Sequence, residues 1–202
     1  MDRQTIVVLD MEGVLVPEIW IAVAERTGIE ALRRTTRDEP DYDVLMRYRL
    51  DLLAEHDLSM SLIAEVIGGL DPLPGAPKFL DALRARHPVV ILSDTFEQFA
   101  AALAPKLGNP VILCHRLEVD PATDRITGYR LRMADQKRAA VEAFRSLEYR
   151  VVAAGDSYND TSMLLAADAG YLFHAPPNVV AEFPELEAVD DFDVLLARLA
   201  PV

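Results

Sequence analysis

The chain has 202 residues, of which 51% are hydrophobic, and a formal net charge of −13 at pH 7. This hydrophobic content excludes a disordered chain, and the acidic balance argues against binding to nucleic acid or to an anionic membrane surface. No apolar run approaches the roughly 18 residues of a membrane span, and no signal-peptide pattern is present. The single cysteine, Cys114, excludes an intramolecular disulfide. We therefore expect a cytoplasmic protein.

The first predicted element is an apolar strand at residues 5–10, within the stretch VVLDMEGVLVPE (7–18). The strand leads into two acids, Asp10 and Glu12, and then Gly13. Residues i and i+2 of an extended segment point to the same side, so both carboxylates could face one cavity. Two interpretations stay open at this point. Either the acids cap a turn at the sheet edge, or one is a nucleophile and the other transfers protons.

Residues 18–70 interrupt the strand pattern and predict only helices, followed by a Gly- and Pro-rich linker, GGLDPLPG (68–75). We interpret residues 17–71 as a helical cap domain inserted after the first strand of a core domain, which comprises residues 1–16 and 72–202. The predicted helices of the insert are 20–27, 30–35, 42–55 and 59–67.

The rest of the chain alternates short apolar strands with helical patterns, which predicts an α/β fold with a Rossmann-like parallel sheet. Three predicted strands end at Asp10, Asp94 and Asp156, and the carboxyl ends of parallel strands share one edge of a sheet. A segment at 114–133 alternates apolar and polar residues around DPATDR and predicts a small β-hairpin. The remaining predicted strands are 89–94, 150–156 and 170–173, and the helices are 76–86, 96–106, 134–147 and 159–167.

The motif GDSYND follows one of these strands and begins a helix. Its acids, Asp156 and Asp160, lie four residues apart, and Ser157 or Asn159 could cap the helix, whose free N–H groups favour an anion. With Asp10 on a neighbouring strand, these carboxylates would form an oxygen-rich site suited to Mg²⁺. An ordinary turn with a polar cap is the alternative interpretation.

Two further polar side chains lie between these motifs. Ser93 is at the end of the second core strand, and Lys137 is early in a helix. A hydroxyl and an ammonium are suited to bind a phosphoryl oxygen and to offset its charge. Alternatively, Ser93 belongs to a turn and Lys137 to a solvated helix surface.

The order of these motifs resembles that of the haloacid dehalogenase-like phosphohydrolases, and the helical insert is similar to the cap of that superfamily. Within it, the chain resembles the phosphoserine phosphatases over nearly its whole length, including members that also transfer phosphate to homoserine. The segments that carry this resemblance are LDMEGVLVPEIWIA, TTRDEPDYDVLMRYRL and VVAAGDSYNDTSML.

The resemblance implies a role for each motif. Asp10 would be the nucleophile that becomes an aspartyl phosphate, and Glu12 would act as general acid and base. Both would contribute to an Mg²⁺ site with Asp156 and Asp160, Glu12 through its backbone carbonyl. The other implied roles are phosphate binding by Ser93, Lys137 and Asn159, and substrate binding by Glu18, Arg49 and Tyr42.

Two positions depart from the pattern of phosphoserine phosphatases. Glu12 stands where an Asp is usual, which adds one methylene to the group that transfers protons. Ser-Asp-Thr at 93–95 replaces the usual Ser-Gly-Gly, so the resemblance does not specify how the backbone amides of this segment contact a substrate.

The resemblance predicts small molecules, phosphoserine and homoserine, as partners, and it leaves a homodimer open without any pattern that specifies one. A phosphatase of another small phosphometabolite is one alternative. A receiver-type signalling domain is a second, since it also pairs a phospho-accepting Asp with Mg²⁺ and Lys, but it would lack the helical insert. An inactive ligand-binding relative is a third, which the intact motif set disfavours.

The four histidines match no motif, and we assign them to surface or core positions: His56, His87, His115 and His174.

Overall fold

A computed structural model describes residues 3–35, 38–39 and 41–201, so parts of the TTRDEP stretch lie outside the described residues. Its centre is a seven-stranded sheet with the strand order β4-β3-β2-β1-β5-β6-β7. Neighbouring strands pair in parallel except β3 and β4, which are antiparallel. The strands are β1 (Thr5–Leu9), β2 (Val89–Phe96), β3 (Val111–Asp120), β4 (Arg125–Arg130), β5 (Arg150–Gly155), β6 (Ala169–Phe173) and β7 (Glu187–Val189).

Short polar residues mark the start of several helices, because their side-chain oxygens accept otherwise unpaired N–H groups. Asp41 accepts a hydrogen bond from Val44 N before α2, and Ser59 accepts one from Leu62 N before α3. The described α-helices are α1 (Ile19–Thr27), α2 (Tyr42–Glu55), α3 (Met60–Gly68), α4 (Ala76–Arg84), α5 (Glu97–Leu103), α6 (Gln136–Ser146), α7 (Tyr158–Ala166), α8 (Pro177–Glu182) and α9 (Phe192–Leu199), with 3₁₀ helices at Glu30–Arg33 and Ala104–Leu107.

The side chains of β1 alternate between two hydrophobic clusters, with Val7 and Leu9 in one and Ile6 and Val8 in the other. All four are buried. A strand that is buried on both sides needs helices on both faces of its sheet, and the α/β fold predicted from the sequence is confirmed. The carboxyl ends of β1, β2 and β5 therefore meet at one edge, where a crevice can form.

Helices α1 to α3 lie between β1 and α4 in the chain and form the predicted helical insert. The tip of the predicted hairpin, now β3 and β4, contacts this insert directly. Met60 N donates to the Asp124 carbonyl at 2.8 Å, and Ser61 N donates to the Asp124 carboxylate at 2.9 Å. Arg125 also pairs with Asp57 of the insert. The hairpin thus fixes the insert from one side.

Several predicted elements differ in detail from the observed ones. The helix predicted at 30–35 is a short 3₁₀ helix, Glu30–Arg33. Strand β3 begins at Val111, before the predicted hairpin, because residues 111–113 pair in parallel with β2. The elements α8, β7 and α9 were not predicted.

The domain boundaries, with residues 17–71 as the insert and residues 1–16 and 72–202 as the core, stay a prediction. Within the described ranges, no helix is long and apolar enough to cross a membrane.

The packing of α7 against β6 depends on a glycine. A Cβ added to Gly170 would lie 2.4 Å from the backbone oxygen of Leu164. We expect Gly170→Ala to lower the free energy of unfolding by about 1–3 kcal/mol, because helix and strand must move apart. In Gly68→Ala, the added methyl meets no atom within 4 Å, so this control should be neutral or stabilising by up to about 1 kcal/mol. Urea unfolding measures both values, and equal stability of the two variants would contradict this account.

Candidate active site

The carboxyl ends of β1, β2 and β5 and the helical insert surround a small cavity of about 80 Å³. Nine of the ten residues predicted for a site line it, and the tenth, Asp160, is fully buried beside it. The fold thus brings together residues that are far apart in the sequence. The nine lining residues are Asp10, Glu12, Glu18, Tyr42, Arg49, Ser93, Lys137, Asp156 and Asn159.

A buried ammonium, that of Lys137 in α6, connects three of the carboxylates. Its Nζ lies 2.8 Å from Asp10 Oδ1, 2.7 Å from Asp160 Oδ1 and 3.6 Å from Asp94 Oδ2. Lys137 is 2% exposed, and Asp10 and Asp160 are 4% and 0% exposed. Burial disfavours the charged ammonium, but Asp10 and Asp160 outweigh it and hold the pKa of Lys137 well above its usual value. Lys137 is therefore charged at neutral pH.

The positive charge of one lysine does not offset the burial and the mutual repulsion of the clustered carboxylates. Burial and the charge of Asp160 raise the pKa of Asp10 well above its usual range, while Lys137 opposes this rise. Burial, followed by the charges of Asp160 and Glu18, raises the pKa of Asp156 to about 7. Additional positive charge at this position would keep the acids ionised.

The same acids fit a metal site. Oxygen atoms of Asp10, Asp156 and Asp160 all lie within 4.8 Å of one another, and the three residues are buried. Clustered carboxylate oxygens are the ligands preferred by hard divalent cations such as Mg²⁺. The donor set therefore suits the cofactor expected from the sequence.

Two glycines allow the close approach of these acids. A Cβ on Gly155 would lie 2.5 Å from Asp160 Cβ. Gly13 has φ of +75°, and a Cβ there would lie 2.4 Å from Asp156 Oδ2. Asp160 Oδ2 also accepts from the N–H groups of Asp156 at 3.0 Å and of Ser157 at 3.2 Å. Of the two predicted caps, Ser157 is the N-cap of α7.

Glu12 points into the cavity from the loop after β1. Its Oε2 accepts a hydrogen bond from Ile19 N, at the start of α1, with a length of 2.9 Å. Burial, and then the negative charge of Glu18, raise the pKa of Glu12 to about 7. A carboxyl with this pKa can both donate and accept a proton near neutral pH.

The insert contributes a buried cation and an aromatic wall. The Arg49 guanidinium lies 4.6 Å from the centre of the Trp20 ring, and its Nη2 donates to the Arg34 carbonyl at 2.9 Å. Burial lowers the pKa of Arg49 to about 10, so the group stays charged at neutral pH. The Tyr42 hydroxyl donates to the Asp94 carbonyl of β2 at 3.0 Å, which links the insert to the sheet.

A polar network beside the cavity was missed in the sequence. Gln136 Nε2 donates to Asp94 Oδ1 at 3.0 Å, and His115 Nε2 lies 3.5 Å from the same oxygen. Asp94 Oδ2 accepts from Asn159 Nδ2 at 2.9 Å. Although burial opposes ionisation, the charge of Lys137 and these hydrogen bonds hold the pKa of Asp94 well below its usual range. Asp94 is thus an ionised group that orients Asn159.

Two members of this network have a signal in the sequence. Asn159 belongs to the motif GDSYND, and Asp94 ends a predicted apolar strand on the rim of the sheet, although the pattern predicts no role for it. Gln136 precedes Lys137 in a helical pattern and carried no motif. His115 was assigned to the surface or the core, and it is 4% exposed.

The Lys137 ammonium should be a large contributor to stability. We expect Lys137→Met to lower the free energy of unfolding at pH 7 by about 3–5 kcal/mol, because it leaves buried carboxylates without their cation. Arg138, the next residue of the same helix, pairs with Glu142 on the surface. Arg138→Met should therefore leave the free energy of unfolding nearly unchanged. Denaturant unfolding of both variants tests the difference, and a loss below 1 kcal/mol for Lys137→Met would contradict it.

Comparison with known proteins agrees with this arrangement. The family model for haloacid dehalogenase-like hydrolases matches residues 5–168. A Pseudomonas aeruginosa protein named phosphoserine phosphatase ThrH is 61% identical over 93% of this chain and 91% of its own length. A phosphoserine phosphatase of Pseudomonas syringae pv. tomato is 62% identical over 93% of this chain and 78% of its own length.

The fold is also that of a solved phosphoserine phosphatase. A structure described as a phospho-aspartyl intermediate analogue of that enzyme aligns with a TM-score of 0.80 at 22% identity, over 98% of this chain and 99% of the other. At this level of identity the similarity shows the fold alone. The family match over residues 5–168 and the relatives at 61% and 62% identity establish that the chain belongs to the haloacid dehalogenase-like hydrolases.

Proposed function

We propose that this hydrolase dephosphorylates O-phospho-L-serine with Mg²⁺ as its cofactor, through a phosphoryl group carried on Asp10. The observation that carries the proposal is that two kinds of group line one small cavity. The Lys137–carboxylate cluster lies on the same cavity as the guanidinium of Arg49 and the carboxylate of Glu18. The names of the two Pseudomonas relatives at 61% and 62% identity support the same substrate.

Asp10 is the proposed nucleophile because it is a carboxylate held beside a cation at the end of a buried strand. In the first step, an oxygen of Asp10 bonds to phosphorus as the bond between phosphorus and the serine oxygen breaks. Glu12 gives its proton to that oxygen, and serine leaves. In the second step, Glu12 takes a proton from water, the water oxygen bonds to phosphorus, and the bond to Asp10 breaks. Phosphate is released and both residues return to their starting states.

The phosphoryl group needs positive charge and hydrogen-bond donors on an acidic protein. We assign these functions to Lys137, Ser93 and Asn159, which line the cavity. The Mg²⁺ ion, when bound, offsets the negative charge that develops on the phosphoryl oxygens. Its ligands would be Asp10, Asp156, Asp160 and the backbone carbonyl of Glu12.

The insert would recognise the amino-acid part of the substrate. The guanidinium of Arg49 is suited to a carboxylate, because its N–H groups form parallel charge-assisted hydrogen bonds. The carboxylate of Glu18 is suited to an ammonium. Tyr42 holds the insert against β2 through its hydroxyl and forms part of the cavity wall.

Replacement of the nucleophile tests this mechanism. Asp10→Asn should lower the release of phosphate from phosphoserine by several orders of magnitude, because a neutral amide does not attack phosphorus. Asp168→Asn is a matched control, since Asp168 pairs with Arg3 just before β6, at the opposite end of the sheet. That variant should retain turnover close to that of the wild type.

The assay compares both variants with the wild type on phosphoserine in buffer that contains Mg²⁺. If Asp10→Asn hydrolyses phosphoserine at the wild-type rate, Asp10 is not the nucleophile. If the wild type hydrolyses p-nitrophenyl phosphate but not phosphoserine, the substrate is another small phosphomonoester.

We propose transfer to homoserine as a second activity of the same site. Once Asp10 carries the phosphoryl group, any well-placed hydroxyl can attack it. Homoserine has the ammonium and carboxylate of serine with one more methylene, so Glu18 and Arg49 would bind the same groups. One methylene is discriminated by only about 1–3 kcal/mol in a pocket.

Product analysis tests the transfer activity. Incubation with phosphoserine, Mg²⁺ and homoserine should yield phosphohomoserine in addition to inorganic phosphate, which ³¹P NMR resolves. L-2-Aminobutyrate, which has the same chain without the hydroxyl, should give no new phosphorylated product. If inorganic phosphate is the only new phosphorus-containing product at saturating homoserine, the enzyme hydrolyses phosphoserine but does not transfer its phosphoryl group to homoserine.

A further inference from the structure

Two buried atoms in the wall of the candidate active site lack a hydrogen-bond partner. Among the described residues, the buried side-chain nitrogen and oxygen atoms without one are Arg49 Nε and Thr95 Oγ1. Arg49 and Thr95 are 6% and 4% exposed, and both line the same cavity. Since an unpaired buried polar group destabilises a folded protein, two such groups at one cavity indicate a ligand that pairs with both.

Thr95 lies beyond the phosphate-binding positions on β2, toward the insert. Its backbone N–H donates to Ser93 Oγ at 3.3 Å, and both residues line the cavity. Strand β1 pairs with β2 only as far as Leu9, opposite Ile91. Thr95 therefore lies past the end of β1, on the stretch of β2 that Tyr42 of the insert contacts through the Asp94 carbonyl.

The chemistry of the unpaired atoms selects the ligand. Arg49 Nε can only donate, and the Thr95 hydroxyl has a proton to donate. A carboxylate offers two oxygens that accept hydrogen bonds, so a single carboxylate can satisfy both donors. The neighbouring Asp94 carboxylate pairs with Gln136 and Asn159. It makes no hydrogen bond with the Thr95 hydroxyl.

We propose that Thr95 determines specificity, and that its hydroxyl binds the carboxylate of the amino-acid substrate together with Arg49 Nε. This inference rests on the proposed function, because it takes phosphoserine as the substrate. Position 95 is also where the chain departs from the Ser-Gly-Gly of the phosphoserine phosphatases that it resembles. A glycine there would have no hydroxyl, so phosphoserine phosphatases that carry the glycine would lack this contact.

Two substitutions distinguish the effect of the Thr95 hydroxyl from the effect of the shape of its side chain. Thr95→Val replaces the hydroxyl by a methyl of similar size, and Thr95→Ser keeps the hydroxyl. The substrates are phosphoserine and O-phosphoethanolamine, which has the phosphoryl group and the ammonium but lacks the carboxylate. For phosphoserine, we expect Thr95→Val to lower kcat/KM by roughly 10- to 100-fold, as for the loss of a hydrogen bond to a charged group. The loss for O-phosphoethanolamine should be at least about tenfold smaller, and Thr95→Ser should restore most of the activity on phosphoserine.

The thermal midpoint of the ligand-free variants separates ligand binding from packing. If the hydroxyl serves a ligand, Thr95→Val should unfold at the wild-type temperature or above it, because the variant removes an unpaired buried group. A lower midpoint with equal losses on both substrates would assign the hydroxyl a structural role and overturn the proposal.

Two other outcomes of the kinetics would also overturn it. Equal kinetic losses without destabilisation would place the contact at the phosphoryl group instead of the carboxylate. Wild-type kinetics of Thr95→Val on phosphoserine would remove Thr95 from the site while leaving the proposed function intact. A wild-type enzyme that is inactive on phosphoserine would instead overturn the proposed function, and this inference with it.

Discussion

The arrangement of the candidate active site depends on the buried contact between Lys137 and the carboxylates of Asp10 and Asp160, at 2.8 and 2.7 Å. A lysine with 2% exposure is costly to keep charged unless acids surround it. Lys137 in turn opposes the rise in the pKa of Asp10 that burial causes, so each of these two groups favours the charged form of the other. The contact joins the residue after β1, helix α6 and the first turn of α7, and it thereby fixes the relative positions of three segments.

The parallel sheet supplies the geometry for this contact. Because β2, β1 and β5 are adjacent and parallel, whatever follows each strand arrives at the same edge. Gly13 and Gly155 then allow acids to approach within distances that a Cβ would block. Burial, and then the negative charge of Asp160, raise the pKa values of Asp10 and Asp156 at this edge. A site built in this way favours a divalent cation and disfavours a neutral ligand.

The sequence predicted those parts of the site that depend on local patterns. Asp10 and Asp156 could be located because an apolar strand precedes each of them, and the strand rule places their side chains at one edge. The network of Asp94, Gln136 and His115 could not be predicted, because it joins residues 21 to 42 positions apart whose alignment is set by tertiary packing. For the same reason, the sequence could not predict that the Thr95 hydroxyl lacks a hydrogen-bond partner. This depends on which atoms surround the hydroxyl in the folded cavity.

The insert is held by contacts that are separate from the catalytic cluster. Tyr42 bonds to the β2 backbone, Tyr129 of the hairpin bonds to Asp43, and Arg125 pairs with Asp57. The proposed nucleophile directly follows β1 of the sheet, whereas the insert contributes Glu18, Tyr42 and Arg49 to the cavity wall. In the proposed mechanism, hydrolysis and transfer share every step up to the phosphorylated Asp10. They differ in whether water or homoserine then attacks phosphorus. Homoserine would bind to the cavity wall that contains Arg49 and Thr95, so this wall would determine which acceptor reacts. A substitution in that wall can therefore change the acceptor while leaving the formation of the phosphorylated enzyme to the sheet.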